Sequence, residues 1–285
     1  MDAMSLSRIQ HAIVDMDGVL YHGNEAIAGG KEFLAFLGEA GVRFVLLTNN
    51  STLTLAQFVG KLRRMGIETT QEALLTSAVA TAAYLTRIAP PGSRVYLIGE
   101  EGIRSELLKS GFVLTDTADA EYVVVGLDRQ LTYAKLNAAM RAVRNGARLI
   151  GSNPDRTFPS ETGLEPGAGA TLAALEAATD VAPLVIGKPE RAIFELALDR
   201  LGATPQTTAV IGDGLYTDVL GGRRAGLFTI LLLSGVTEAA QLVESAPKPD
   251  LVYADISALH CAWLKAWQKH GARRGSDSRT DAGDA

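Results

Sequence analysis

The sequence predicts an α/β protein, a parallel sheet covered by helices. Three observations carry that expectation. Short apolar runs alternate along the chain with amphipathic segments of helical spacing. Glycines such as Gly41 and Gly66 stand just past amphipathic segments, where a helix stop uses them. Acidic or polar residues follow several apolar runs, as they do where the strands of a parallel sheet end in functional loops.

Taken in order, residues 11–14 form the first expected strand. Residues 31–40 follow as a helix, with Phe33, Leu34 and Leu37 on one face. Residues 42–47 make a second strand ending in Thr48-Asn49-Asn50-Ser51, and a helix covers about residues 53–65. The middle repeats the style, with strands at 94–98, 122–125 and 147–150 and helices near 102–110 and 133–145. Residues 151–169, rich in Gly and Pro, read as a loop, followed by a helix near 170–178. The last third holds a short strand at 184–186, a helix opened by Pro189, and strands at 208–211 and 227–233.

Composition narrows the function. The chain has 285 residues, 47% hydrophobic and 21% charged, with a formal charge of −5. That charge argues against a general nucleic-acid binder, because nothing offsets phosphate repulsion globally. Cys261 is the sole cysteine, so an intrachain disulfide is ruled out and a reducing compartment fits. Residues 1–10 lack the apolar core of a signal peptide and no apolar run reaches membrane-spanning length, so the expected location is the cytoplasm. Residues 271–285 are polar, charged and poor in apolar side chains, and are expected to be disordered.

The chemistry gathers at strand ends. The first strand runs into Asp15-Met16-Asp17-Gly18-Val19. Two carboxylates one residue apart repel each other there, and a cation or a shared proton relieves the cost. A second acidic turn, Gly212-Asp213-Gly214 through Asp218, follows the strand at 208–211. Carboxylates converging from two strand ends make a hard oxygen site suited to Mg²⁺. Thr48, the amides of Asn49 and Asn50, and Lys188 in Gly187-Lys188-Pro189 are groups suited to phosphate oxygens. Each alone has a plainer reading as a cap, a turn or an exposed lysine. Their common place at strand ends, in a consistent order, favours one site.

These motifs resemble those of the haloacid dehalogenase-like hydrolase superfamily. The likeness runs from about residue 10 to 260. Thr48 and Lys188 lie about 140 residues apart, room for a second α/β domain, whereas Asp15 and Thr48 leave none. That spacing resembles the NagD-like and para-nitrophenyl phosphatase-like branch. So do residues 151–159 with Pro166-Gly167-Ala168-Gly169, and Leu233-Ser234-Gly235-Val236-Thr237. The resemblance implies a doubly wound, Rossmann-like parallel-sheet core over residues 1–78 and 184–270. It also implies an inserted α/β cap over 79–183.

It further implies a Mg²⁺-dependent phosphatase acting on a small phosphate ester, with no nucleic-acid polymer and no membrane as partner. Asp15 would be the nucleophile and Asp17 the general acid and base. Asp15, Asp213 and the main-chain carbonyl of Asp17 would hold the metal. Thr48, Asn49, Asn50 and Lys188 would hold the phosphoryl group, with Asp218 orienting Lys188 or a metal-bound water. Asn153, Asp155 and Arg156 are candidates for substrate contact from the cap, against a plain reading as a turn. His22 reads as a loop residue near the site. Subunit contact through the cap is also implied by the resemblance. Gly214 stands where relatives often carry Asn or Arg, a change that bears on affinity or substrate choice.

Two other classes compete. Gly212-Asp213-Gly214 follows a strand as a dinucleotide fingerprint should, but it lacks the third glycine and sets Asp213 beside the pyrophosphate. A non-catalytic binder of phosphometabolites on the same fold has no need of Asp15, Asp17, Asp213 and Lys188 together.

Overall fold

The computed structural model describes residues 6–160, 163–244 and 247–277. They form parallel sheets flanked by helices, the expected α/β, Rossmann-like architecture. The chain divides into two compact units, Met1–Val45 with Leu198–Ala285, and Leu46–Ala197. The division falls inside the strand Arg43–Thr48.

In the first unit the strand His11–Asp15 pairs in parallel with Thr208–Gly212, which pairs with Phe228–Leu232, which pairs with Leu251–Tyr253. The first two strands are buried along their whole length, as apolar runs at the middle of a covered parallel sheet should be. Their register sets Val14 opposite Ile211. The acidic residues that follow each strand therefore emerge side by side at one sheet edge.

The helix Gly30–Glu39 buries Phe33 and Phe36. Both rings meet the last helix, Ile256–Asp277. Phe36 lies 4.9 Å from the His260 ring and Phe33 5.8 Å from Trp263, which is fully enclosed. Enclosing an indole of that size removes enough apolar surface to make it a principal anchor of this face. The sequence pattern marks no helix here. This one continues through Asp277, past the Gly271 at which disorder was expected, and residues 278–285 lie outside the described residues. Ala272, Arg273 and Arg274 are good helix formers, which suits the continuation.

The second unit holds a five-stranded parallel sheet. Its order is Leu184–Val185, Arg148–Gly151, Tyr122–Val125, Arg94–Ile98, Val113–Thr115. Val123, Val125, Leu149, Ala142, Leu172 and Leu175 pack into its core beneath the helices Tyr133–Arg144 and Ala168–Thr179. The end of Arg43–Thr48 pairs in parallel with Leu74–Thr76, a strand too short to stand out in the sequence.

Two expectations are corrected. The stretch 151–169 is not wholly loop: Thr157–Ser160 and Gly163–Pro166 form an antiparallel hairpin. Leu164 and most of the second strand face solvent, so no apolar alternation marked it. Pro189 does not open a helix either. Glu190 N donates to Gly187 O at 2.9 Å, closing a turn over Lys188 and Pro189, and the helix begins at Arg191.

Candidate active site

The first unit brings Asp15, Asp213 and Asp218 together. All three are buried, and one carboxylate oxygen of each lies within 4.8 Å of the others. Asp15 ends its strand, and the chain then turns sharply. Leu20 N donates to Met16 O at 2.8 Å and Gly18 N to Tyr21 O at 2.8 Å. Gly18 takes φ +78°, in the left-handed region where a side chain is strained. Its bare Cα also makes room: a Cβ there would lie 2.6 Å from Asp213 Cγ.

Asp213 leaves the neighbouring strand and is pinned from the other side. Val236 N donates to its Oδ2 at 2.7 Å, and Ser234 Oγ donates to Gly18 O at 2.7 Å. Asp218 returns to the cluster because residues 215–219 form a π-helical turn, wider than an α turn. Thr217 Oγ1 donates to Asp218 Oδ2 at 2.9 Å and Gly214 N donates to the same oxygen at 3.2 Å. Both donors engage the same oxygen, Oδ2.

Three enclosed carboxylates in one place repel strongly, and a hard divalent cation is the natural means of relief. The donor set fits Mg²⁺, being all oxygen and fewer than six, so that waters would complete the coordination of a bound ion. Asp17 is exposed, and its side chain is not a member of this cluster. Asp218 is a member, where the resemblance had cast it as an orienting residue. Tyr21 is buried, and burial together with the carboxylates of Asp17 and Asp15 pushes the pKa of its phenol up. His22 is exposed on the short hairpin Tyr21–His22 and Glu25–Ala26.

The second unit contains the phosphate-suited residues, organised around Asn49. Lys188 N donates to Asn49 Oδ1 at 2.8 Å, and Asn49 Nδ2 donates back to Lys188 O at 3.0 Å. The other Nδ2 proton goes to Asp155 Oδ2, also at 3.0 Å. The carbonyl of Asn49 accepts from Ser77 Oγ at 2.6 Å and Asn153 Nδ2 at 2.9 Å. Asn153 Oδ1 in turn accepts from Asp155 N at 3.1 Å. Asn153 and Asp155 thus brace Asn49, while Arg156 is exposed.

Thr48 and Lys188 are both buried. Asn50 N donates to Thr48 Oγ1 at 3.1 Å, and Asn50 Oδ1 accepts from Thr52 N and Thr52 Oγ1, each at 2.8 Å. The side chain of Asn50 therefore serves its own turn. The roles of Thr217, Ser77 and Gly187 are not evident from the sequence alone. A hydroxyl beside an acidic motif was the sole signal for Thr217, and nothing local marked Ser77.

Comparison with known proteins bears on this arrangement. Residues 12–113 match the model of the haloacid dehalogenase-like hydrolases, and residues 185–259 match a HAD-hydrolase-like model. The chain is 39% identical over 245 residues to an acid sugar phosphatase of Staphylococcus aureus, covering 86% of this chain and 94% of that one. The chain belongs to the haloacid dehalogenase-like hydrolases. Within them it is of the NagD-like branch. NagD from E. coli K-12 superposes with a TM-score of 0.82 at 35% identity, covering 89% of this chain and 98% of its own. A glycerol phosphate phosphatase from Mycobacterium tuberculosis, solved in complex with magnesium, gives 0.82 at 31% identity, covering 90% and 78%. This haloacid dehalogenase-like chain is accordingly an enzyme, a hydrolase of phosphoric monoesters.

Proposed function

We propose that the chain hydrolyses small phosphomonoesters, sugar or polyol phosphates foremost, with Mg²⁺ as cofactor and Asp15 as nucleophile. The observation that carries this reading is the buried cluster of Asp15, Asp213 and Asp218 in a chain whose relatives are named for removing phosphate from sugars and glycerol.

Asp15, Asp213 and Asp218, with the main-chain carbonyl of Asp17, would hold the metal. Bound there, Mg²⁺ supplies positive charge that offsets repulsion between the carboxylates and the phosphoryl oxygens. Asp15 attacks phosphorus in line with the ester oxygen, forming an aspartyl-phosphate as the ester P–O bond breaks. Asp17, exposed at the turn, gives its proton to the departing alkoxide. It then takes a proton from water, which attacks the same phosphorus and cleaves the bond to Asp15, releasing inorganic phosphate. Thr48, the main-chain N–H of Asn49 and Lys188 bind the phosphoryl oxygens throughout, with the lysine charge worth most where water is excluded. The Asn50 amide, bonded to Thr48 Oγ1, acts through that hydroxyl.

Residues 79–183 act in this reading as an inserted cap on a core formed by 1–78 and 184–270, and Arg156 contacts the leaving group from the cap side. Among the described residues no helix is long and apolar enough to cross a membrane. The cytoplasm is the location this reading proposes, and a reducing compartment suits a chain with one cysteine. Self-association through the cap belongs to the same proposal, and light scattering coupled to gel filtration measures it.

The deciding experiment is release of phosphate from a panel of phosphomonoesters, with and without Mg²⁺, by the native chain and Asp15→Asn. Metal-dependent release that disappears in the variant is the expected result. Release that survives the substitution removes Asp15 as nucleophile. A folded chain that binds Mg²⁺ yet releases nothing from any ester points to a binding protein instead.

A further inference from the structure

We infer that Asp155 is a positioning residue for phosphate binding, acting through Asn49 on the backbone of Lys188. The inference rests on the proposed role of Lys188 as a phosphate-binding group.

The geometry leaves Asn49 one orientation. Its amide faces the Lys188 peptide edge-on, Oδ1 against N–H and Nδ2 against C=O. A flipped amide would set donor against donor and acceptor against acceptor. The Nδ2 group has two protons, and Asp155 Oδ2 takes the one that Lys188 O does not. A carboxylate accepts only, so Asp155 admits nitrogen and not oxygen at that position. It therefore selects the amide orientation that matches the lysine peptide.

Asp155 is itself held. Its N–H donates to Asn153 Oδ1, and its carbonyl accepts from Gly169 N at 2.8 Å at the start of the helix Ala168–Thr179. Gly187 supplies an independent sign that the contact is built. A Cβ there would run into Ser152 O and lie 2.7 Å from Asn49 Oδ1 and 3.1 Å from Asn153 Cβ, so only glycine lets this turn lie against both the Ser152 carbonyl and the Asn49 amide. Lys188 is buried, and a shift of its Cα moves the whole side chain relative to whatever it binds. The contact thus acts on the phosphoryl group and is indifferent to the alcohol attached to it.

The test compares the full-length native chain with Asp155→Ala, Asp155→Asn and Gly187→Ala, and with Lys188→Ala as a reference. KM and kcat are measured for 4-nitrophenyl phosphate and a hexose phosphate, together with competitive inhibition by inorganic phosphate. Asp155→Ala is expected to raise both KM values and the phosphate Ki by a common factor of about ten, the weight of one lost hydrogen bond to a charged group. Asp155→Asn retains an acceptor in place and should stay within about threefold of native. Gly187→Ala should raise the phosphate Ki as well, but its Cβ also meets the Ser152 carbonyl, so Asp155→Asn decides the matter if Asp155→Ala does not fold.

An unchanged phosphate Ki with a raised ester KM would mean that Asp155 touches the leaving group, and would overturn the inference. So would an asparagine variant as weak as alanine, or a Gly187→Ala chain with native phosphate affinity. An unchanged phosphate Ki in Lys188→Ala would instead remove the role of Lys188 on which the inference rests.

Discussion

Gly18 and Asp213 share one space: where Gly18 lacks a side chain, the carboxyl group of Asp213 lies, its Cγ 2.6 Å from the position a Cβ would take. The first acidic turn therefore depends on its glycine for two reasons, the +78° φ and the close approach of the second acidic loop. Gly18→Ala should displace Asp213 and add backbone strain of about 1–2 kcal/mol. The expected outcome is a Mg²⁺ affinity lower by about two orders of magnitude, as for loss of a charged metal ligand, with a melting temperature only a few degrees lower. Calorimetric titration of the metal and a thermal melt read the two effects separately.

Thr217 orients a member of the acidic cluster. Its hydroxyl donates to Asp218 Oδ2, and the same hydroxyl stands where a side chain at Gly214 would begin. Thr217→Val should weaken Mg²⁺ binding about tenfold, the value of one hydrogen bond to a charged acceptor. Gly214→Ala should also weaken it, but less in a Thr217→Ala background, where the obstructing oxygen is gone. A double-mutant cycle on the metal dissociation constant reads that coupling, and strict additivity would refute it.

His11 is expected to make the fold sensitive to acid. Its Nε2 faces Arg43 at 2.7 Å, and Nδ1 lies 3.4 Å from Thr207 Oγ1. The neutral ring accepts from the guanidinium through Nε2 and carries its proton on Nδ1, toward the threonine. Burial, and secondarily the Arg43 charge, lower its pKa from the usual 6.5. The unfolded chain then binds a proton that the folded chain refuses, so this contribution to stability is complete above about pH 6.5 and declines as the pH falls below it. His11→Gln should show a shallower loss of melting temperature between pH 6.5 and 5 than the native chain. Parallel profiles would exclude the ring as the sensor.

Trp263 is expected to carry much of the stability of the first unit. It is 1% exposed and its ring lies 5.8 Å from that of Phe33 and 6.4 Å from that of Phe36. Trp263→Ala should cost about 3–5 kcal/mol in urea unfolding. A loss below about 1 kcal/mol would show that the last helix contributes little to this core.

The strands that place the acidic residues were legible because a parallel strand covered on both faces must be a continuous apolar run. Residues 12–14 and 209–211 are such runs, with Asp15 and Asp213 at or just after the ends of their strands. Leu74–Thr76 and Leu251–Tyr253 escaped notice because three residues carry no period. The hairpin from Thr157 escaped because its second strand, Gly163–Pro166, is largely exposed and shows no apolar alternation. The last helix escaped because its aromatic residues declare a face only when Phe33 and Phe36 are opposite them.

By itself the sequence determined the class of fold, the family motifs and the residue types that can do the chemistry, since these depend on local pattern and order along the chain. Tertiary structure decided the pairing of groups distant in sequence. It placed Asp218 in the acidic cluster through a π turn and committed Asn49 to the Lys188 peptide. It also turned Asn153 and Asp155 into braces for that contact. A hydrogen bond is short and directional, so its partners are set by where the folded backbone brings donor and acceptor together, and no local spacing encodes that meeting.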